Sequence, residues 1–277
     1  MERMARWLEE RERVLVMGVL NLTPDSFYDG GRYGTPQAAV ARALAMVDEG
    51  ADIIDIGGES SRPGSRPASV DEELARVIPV VEGLASTCDV LISVDTTKSA
   101  VARAAIAHGA RIINDISALR FDPEMGEVVA RGGTFLVLMH MQGSPETMQH
   151  NPAYADVVAE IKDFLRERMD VATSAGIDRA RLIVDPGIGF GKSLAHNLDI
   201  LRRLASFKQL GVPILVGLSR KSFLGEILDL PTTERLVGTI AANAIAIANG
   251  ADIIRVHDVK EGRRTVDVAF RLRNNAT

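Results

Sequence analysis

Short apolar runs rich in Val and Ile recur along the whole chain, each followed by a Gly/Pro turn or a stretch with helical spacing. Continuous apolar runs of this length, without alternation, mark parallel strands buried on both faces. Eight strands are predicted: Val14 to Leu20, Asp52 to Ile56, Val90 to Val94, Arg111 to Asn114, Thr134 to Met139, Arg181 to Val184, Pro213 to Gly217 and Ala251 to Val256. Between them, Pro36 to Glu49, Val70 to Leu84, Ser99 to Ala107, Ala153 to Ala175 and Thr233 to Asn249 carry helical spacing. Each is long enough for a crossover helix.

One template recurs at Gly50-Ala51-Asp52-Ile53-Ile54-Asp55, Gly109-Ala110-Arg111-Ile112-Ile113-Asn114 and Gly250-Ala251-Asp252-Ile253-Ile254-Arg255. In each copy a glycine ends a helix, two isoleucines form the strand and a polar residue follows. The template alone also fits an open doubly wound sheet. Eight strand and helix units in 277 residues point instead to a closed (β/α)8 TIM barrel, a fold that commonly takes about 250 residues. No linker-like stretch divides the chain, so residues 1–277 are read as a single barrel domain, with Met1 to Arg13 a short N-terminal capping segment.

Both architectures gather their chemistry at the carboxyl ends of strands. The polar residues predicted there are Asn21, Glu59 to Arg62, Asp95, Asn114, His140, Asp185, Lys221, Arg255 and His257. Singly, each has a plain structural reading: a helix cap or turn for Asp95, Asp185 and Asn21, an internal salt bridge for Arg255. As a set they suit a flat heterocycle whose edge alternates N–H donors with a carbonyl. Asp185 accepts paired donors, Asn114 donates and accepts, Lys221 meets the carbonyl or a ring nitrogen, and the Arg255 guanidinium can lie along the ring. The loop from Glu59 to Pro67, rich in hydroxyls and arginines, suits an anion. Arg62, Arg255 and His257 together match a diphosphate, and Asn21 can offer its carbonyl oxygen to a bridging Mg2+.

Composition narrows the partners. A net charge of −5 with no long basic run argues against nucleic acid, and no apolar run is long enough to span a bilayer. The one cysteine, Cys88, rules out an intrachain disulfide and a thiolate-rich metal site, and it is read as an ordinary loop residue. The first residues lack the apolar stretch of a secretory signal, so a cytoplasmic protein is expected. The run Gly187-Ile188-Gly189-Phe190-Gly191-Lys192-Ser193 ends like a P-loop, but Pro186 stands where the first glycine is required. The five histidines show no paired spacing for zinc.

Five segments, Gly18 to Phe27, Asp55 to Gly64, Asp185 to Lys192, Ser219-Arg220-Lys221-Ser222 and Arg255-Val256-His257-Asp258, together resemble the signature segments of the dihydropteroate synthases. The matches run in family order from Val14 to Asp258. The resemblance implies a barrel enzyme that joins a dihydropterin diphosphate to p-aminobenzoate and expels pyrophosphate. It implies pterin contacts from Asp95, Asn114, Asp185, Lys221 and Arg255, with diphosphate and Mg2+ nearer the rim on Asn21, Ser61, Arg62, Arg255 and His257. The p-aminobenzoate, and sulfonamide drugs in its place, would lie near Phe27, Pro63, Phe190, Lys221 and Ser222. The loops Thr23 to Gly34 and Ser60 to Ser69 would close over the site, and two copies would form a homodimer, with the helix at Ala241 to Ala248 a candidate interface. Ser61 stands where many relatives carry threonine, and the hydroxyl is kept.

Two rival readings share parts of this pattern. A pterin-dependent methyltransferase has no need of the diphosphate cluster, and a noncatalytic paralogue has no need of Lys221, Arg62 and His257. In the favoured reading Asp95, Lys221, Arg255 and Arg62 carry the chemistry. Arg255→Ala and Asp95→Ala are each expected to lose activity on the order of a hundredfold while folding normally, measured as turnover of the folded variants.

Overall fold

The computed structural model describes residues 13–23, 35–60 and 65–274, without the side chain of 274. Phe27, Ser61, Arg62 and Pro63 lie outside the described residues, as does nearly all of the expected capping segment. Eight strands run in chain order: β1 (Leu15–Asn21), β2 (Ile53–Gly57), β3 (Leu91–Asp95), β4 (Ile112–Asp115), β5 (Phe135–Met139), β6 (Leu182–Asp185), β7 (Leu215–Gly217) and β8 (Ile253–Val256). All ladders are parallel, and the order is β6-β5-β4-β3-β2-β1-β8-β7. A bridge between Val184 and Ile214 joins β6 to the approach of β7 and closes the cylinder. The eight expected strands are therefore present, displaced by about a residue, as the ends of such elements usually are.

Helices wrap the outside: α1 (Pro36–Asp48), α2 (Val70–Thr87), α3 (Ser99–Ala107), α4 (Met125–Gly132), α5 (Val157–Ser174), α6 (Leu194–Arg202), α7 (Ser222–Leu228), α8 (Leu236–Ala248) and α9 (Val259–Asn274). The helix expected from Ala153 begins only at Val157, because the Asp156 side chain accepts from the Val158 and Ala159 N–H groups and sets the start. The stretch expected as one helix from Thr233 is a 3-10 turn, Thr232–Glu234, followed by α8. Arg235 between them ties the turn down, donating to the Leu230 carbonyl at 3.0 Å and the Arg220 carbonyl at 3.2 Å.

Strand periodicity builds the mouth of the barrel. Alternate residues point inward, so Leu15, Met17, Ile53, Leu91, Ile112, Phe135, Val137, Ile183, Leu215 and Ile253 pack as an apolar plug on the axis. Their neighbours Val16, Ile54, Ile92, Ile113, Leu136, Val184, Val216 and Ile254 face the helices in the larger outer core. Two residues beyond the plug, the same inward columns carry Asp55, Ser93, Asn114, Asp185, Gly217 and Arg255. Ladder register puts Asp55 beside Ser93, Asp95 beside Asn114, and Gly217 beside Arg255.

The repeated template also has a structural purpose at the opposite end. Gly50, Gly109 and Gly250 take φ of +103°, +120° and +103°, the left-handed turn that ends each preceding helix. The following aspartates then serve neighbouring strands: Asp52 accepts the Val16 N–H at 3.0 Å and Asp252 the Ile214 N–H at 2.8 Å. Asp252 also pairs with Lys208 at 2.6 Å. Asp252→Ala would strand a buried backbone donor, so it is expected to lower unfolding free energy by about 1–3 kcal/mol in a urea titration while kcat stays near wild type.

Candidate active site

The centre of the mouth is a buried cluster of charges. Arg255 on β8 donates through Nε to Asp55 Oδ2 at 2.6 Å and through Nη2 to Asp95 Oδ2 at 2.9 Å. Asp55 on β2 is fully buried, and it also accepts from Asn114 Nδ2 at 3.1 Å and Ser93 Oγ at 2.6 Å. The three polar residues that close the three copies of the template therefore bond to one another. Asp55 and Ser93 were not expected at the site. The template was the signal for Asp55, since it occupies the same place in its copy as Asn114 and Arg255 do in theirs; nothing in the sequence singled out Ser93.

The internal salt bridge weighed for Arg255 is thus real, and it sharpens that residue's role. Two guanidinium nitrogens are committed to carboxylates, which holds the group in one plane, while Nη1 makes no hydrogen bond among the described residues. Asp95 is no helix cap: α3 starts from Lys98 without a side-chain cap. Asp185 is partly what capping would predict, because its Oδ1 accepts the Gly187 N–H at 2.7 Å. Its second oxygen has no partner among the described residues and remains available to a ligand. Asn114 keeps its carbonyl oxygen as an acceptor for the same reason.

Lys221 lies between this cluster and the loop after β6. Its ammonium donates to the Ile188 carbonyl and sits 4.8 Å from the centre of the Phe190 ring. A Cβ at Gly217 would lie in ordinary contact with both cationic side chains, 3.7 Å from Lys221 Nζ and 3.8 Å from Arg255 Cβ, so both stand over the end of β7. Ser222 is the first residue of α7, directly after Lys221. Asn21 ends β1, and a Cβ at Gly57 would lie 3.5 Å from its Oδ1 and 3.8 Å from Asp95 Cβ. His257 is turned to Ser219, with Nδ1 3.0 Å from the hydroxyl. Beside it, Arg220 and Asp258 form a two-point salt bridge at 2.9 and 2.8 Å that fixes the Ser219 to Ser222 turn.

Crowded charge in a dry pocket shifts ionisation. Burial pushes the Asp95 carboxyl up to about 7, against the pull of Arg255 and with the repulsion of Asp55. Burial also raises Asp185, chiefly opposed by Lys221. It draws the Lys221 ammonium down to about 8, with Asp185 resisting and Arg255 adding to the fall. Arg255 itself stays charged, because Asp55 and Asp95 outweigh its desolvation.

Residues 17–257 match the family model described as pterin binding enzyme. The chain belongs to the pterin-binding enzyme family. It is 49% identical to the dihydropteroate synthase of Escherichia coli strain K12, over 94% of this chain and 93% of that protein. Among solved structures it resembles the Yersinia pestis dihydropteroate synthase in a sulfonamide drug complex, with TM-score 0.91, 46% identity and 95% of each chain covered. It also resembles the Xanthomonas albilineans dihydropteroate synthase with 4-aminobenzoic acid, with TM-score 0.88, 48% identity, and 96% and 94% coverage. Within the family this chain stands with the dihydropteroate synthases, which are transferases.

One expectation changes with this geometry. Arg255→Ala will not fold as the wild type does, because it leaves Asp55 and Asp95 buried without their cation, a loss of about 3–5 kcal/mol. The pH dependence of kcat/KM isolates the chemistry better. With Asp95 acting as a carboxylate and Lys221 as an ammonium, kcat/KM is expected to fall below about pH 7 and again above about pH 8, a narrow bell. Folding responds to Asp95 with the opposite sign. Its raised value favours the native state at low pH, and that contribution is lost as pH climbs through about 7. Asp95→Asn should therefore gain relative stability at pH 8 while losing activity, read from urea midpoints at pH 5 and pH 8.

Proposed function

We propose that this chain condenses 6-hydroxymethyl-dihydropterin diphosphate with p-aminobenzoate, giving dihydropteroate and pyrophosphate. The observation that carries the proposal is the set of Asp95, Asn114, Asp185 and Arg255 from four strands and Lys221 from the turn after β7, far apart in the chain yet gathered at one mouth. The free oxygen of Asp185 accepts N–H groups from the amino-pyrimidine edge of the pterin. The Asn114 carbonyl oxygen accepts a further ring N–H, and Lys221 donates to the ring carbonyl or a ring nitrogen. Arg255, held in plane by its two carboxylates, lies along the ring and directs Nη1 toward the diphosphate.

The reaction proceeds by departure before attack. The bond between the hydroxymethyl carbon and the diphosphate oxygen breaks, and its electron pair leaves on the diphosphate. The carbon becomes a cation delocalised over the pterin, which suits a nucleophile as weak as an arylamine. The amine nitrogen then forms the carbon–nitrogen bond and gives up a proton to the departing phosphate or to water. Asp95, held beside the ring, is the carboxylate that faces the developing positive charge, and Arg255 offsets the charge on the leaving group.

Ser61, Arg62 and His257 complete the diphosphate site in this reading, and Phe27, Pro63, Phe190, Lys221 and Ser222 the p-aminobenzoate site. The Yersinia pestis relative's sulfonamide drug complex and the Xanthomonas albilineans relative's 4-aminobenzoic acid complex support the arylamine and its drug mimics as ligands of this chain. The Asn21 carbonyl oxygen, which makes no hydrogen bond among the described residues, fits a Mg2+ held mainly by phosphate oxygens and water. When bound, the ion would neutralise charge on the departing diphosphate.

The proposal extends to a cytoplasmic homodimer. On α8, Ala242, Asn243, Ala246 and Ile247 are buried against the barrel, which is the self-packing weighed for half of this helix. Val237, Ala241, Ile245 and Ala248 form an outward stripe, continued on α9 by Val268 and Leu272, and Val237 is 76% exposed. No helix among the described residues is long and apolar enough to cross a membrane. A second copy would cover the stripe, and a solution mass of one chain would remove this part of the proposal.

The reaction is tested by pyrophosphate release from the dihydropterin diphosphate, with and without p-aminobenzoate. Release that requires the arylamine and stops with a sulfonamide is the expected result. Tight pterin binding with no pyrophosphate would make the chain a noncatalytic paralogue.

A further inference from the structure

The lysine that ends the P-loop-like run is a buried amine with no assigned role. Lys192 is 4% exposed, and its ammonium meets three acceptors: His140 Nδ1 at 2.9 Å, the Phe190 carbonyl at 2.9 Å and the His140 carbonyl at 3.4 Å. An ammonium has three donors and no acceptor, so this cage satisfies it without a carboxylate. The ring of His140 is itself 6% exposed and packs edge-on against Phe164, with centroids 4.8 Å apart. Burial, then the neighbouring Lys192 and Arg120, hold that imidazole neutral, lowering it to about 2, so Nδ1 is free to accept. Burial also pulls the Lys192 amine well below its usual range, with Asp185 resisting and Lys221 adding to the fall.

The cage ties two elements that frame the ligand mouth. The His140 N–H donates to the Asp185 carbonyl at 2.9 Å, and a Cβ at Gly187 would stand 1.9 Å from the His140 carbonyl oxygen. The loop after β6 therefore lies directly on the exit of β5, and Lys192 is the clamp between them. On its other side the same loop presents the Ile188 carbonyl and the Phe190 ring to Lys221. Phe190 also packs on Ile116, Met139, Met141 and Met148. One lysine thus grips the loop from below while the ligand-facing lysine rests on it from above.

We infer that Lys192 is a positioning residue for the pterin site: by pinning the Phe190 backbone to His140, it sets where Lys221 and Phe190 stand and so governs affinity for the ring. This rests on the pterin reading of the mouth. The test therefore includes a measurement that needs no turnover, calorimetric titration with a nonreactive oxidised pterin, beside kcat/KM for the dihydropterin diphosphate. Lys192→Met keeps the length of the stem and removes all three donors. It is expected to weaken pterin binding at least tenfold and to lower kcat/KM on the order of a hundredfold in folded protein, the scale of a misplacement of about 1 Å. His140→Leu removes one acceptor and is expected to act in the same direction. His140→Asn restores an acceptor close to the Nδ1 position and should return both values to within threefold of wild type. The double variant Lys192→Met with His140→Leu should be no worse than Lys192→Met alone, because both act through one bond. Should Lys192→Met not fold, the two His140 variants carry the comparison. A merely structural lysine would lower the unfolding midpoint and leave pterin affinity of the folded protein unchanged. That result, or equal losses in His140→Leu and His140→Asn, would overturn the inference. A wild-type protein that binds pterin without turnover would instead count against the proposed reaction and leave the titration comparison intact.

Discussion

A single, largely buried cation holds the mouth of this barrel together. Arg255 spans from β8 to Asp55 on β2 and Asp95 on β3, and Asp55 in turn gathers Ser93 and Asn114. Burying two carboxylates this close is costly unless a guanidinium pairs with both and hydrogen bonds satisfy their remaining lone pairs. The hydrogen bonds meet that condition more fully for Asp55 than for Asp95, whose carboxyl burial pushes up to about 7. Stability and chemistry are therefore set by the same contacts. The group best placed to face a developing cation is one whose charge burial disfavours.

The rest of the architecture makes that cluster possible. Parallel strands tilt their alternate residues onto the axis, and the aliphatic plug below seals the barrel from solvent. Above the plug, the inward columns of β2, β3, β4, β6 and β8 carry polar residues, and the direct pairing of β1 with β8 brings the first and last strands to a common rim. Glycine at 187 removes the side chain that would keep the β6 loop off β5, since a Cβ there would stand 1.9 Å from the His140 carbonyl oxygen. At the far end, Asp52 and Asp252 cap neighbouring strands, so one repeated template serves the base of the barrel with its first polar position and the mouth with its last.

Much of this was legible before any coordinates. Strand positions followed from apolar runs, because a strand buried on both faces must be apolar throughout. The inward site residues followed from where those runs end. Asp55 was not among the predicted site residues since it lies within its strand, and only its contact with Arg255 singles it out. The helices α4, α6, α7 and α9 were not among the predicted ones; α4 and α7, at eight and seven residues, carry too few turns for periodicity to register well. Lys192 was set aside as a failed phosphate loop, and what the structure gives it is a cage of carbonyls and an imidazole rather than an anion.

The sequence alone determined the eight strands, where they end and the residue types that a pterin and a diphosphate call for, since these depend on local periodicity and on side-chain chemistry. Which of those residues bond to each other was decided only by the tertiary structure. Asp55 and Arg255 are separated by 200 positions and meet at 2.6 Å because parallel register and barrel closure, neither readable from local pattern, bring β2 and β8 to one rim. The ionisation of Asp95 and Lys221 was settled the same way, by burial and by neighbours that the chain order keeps far apart.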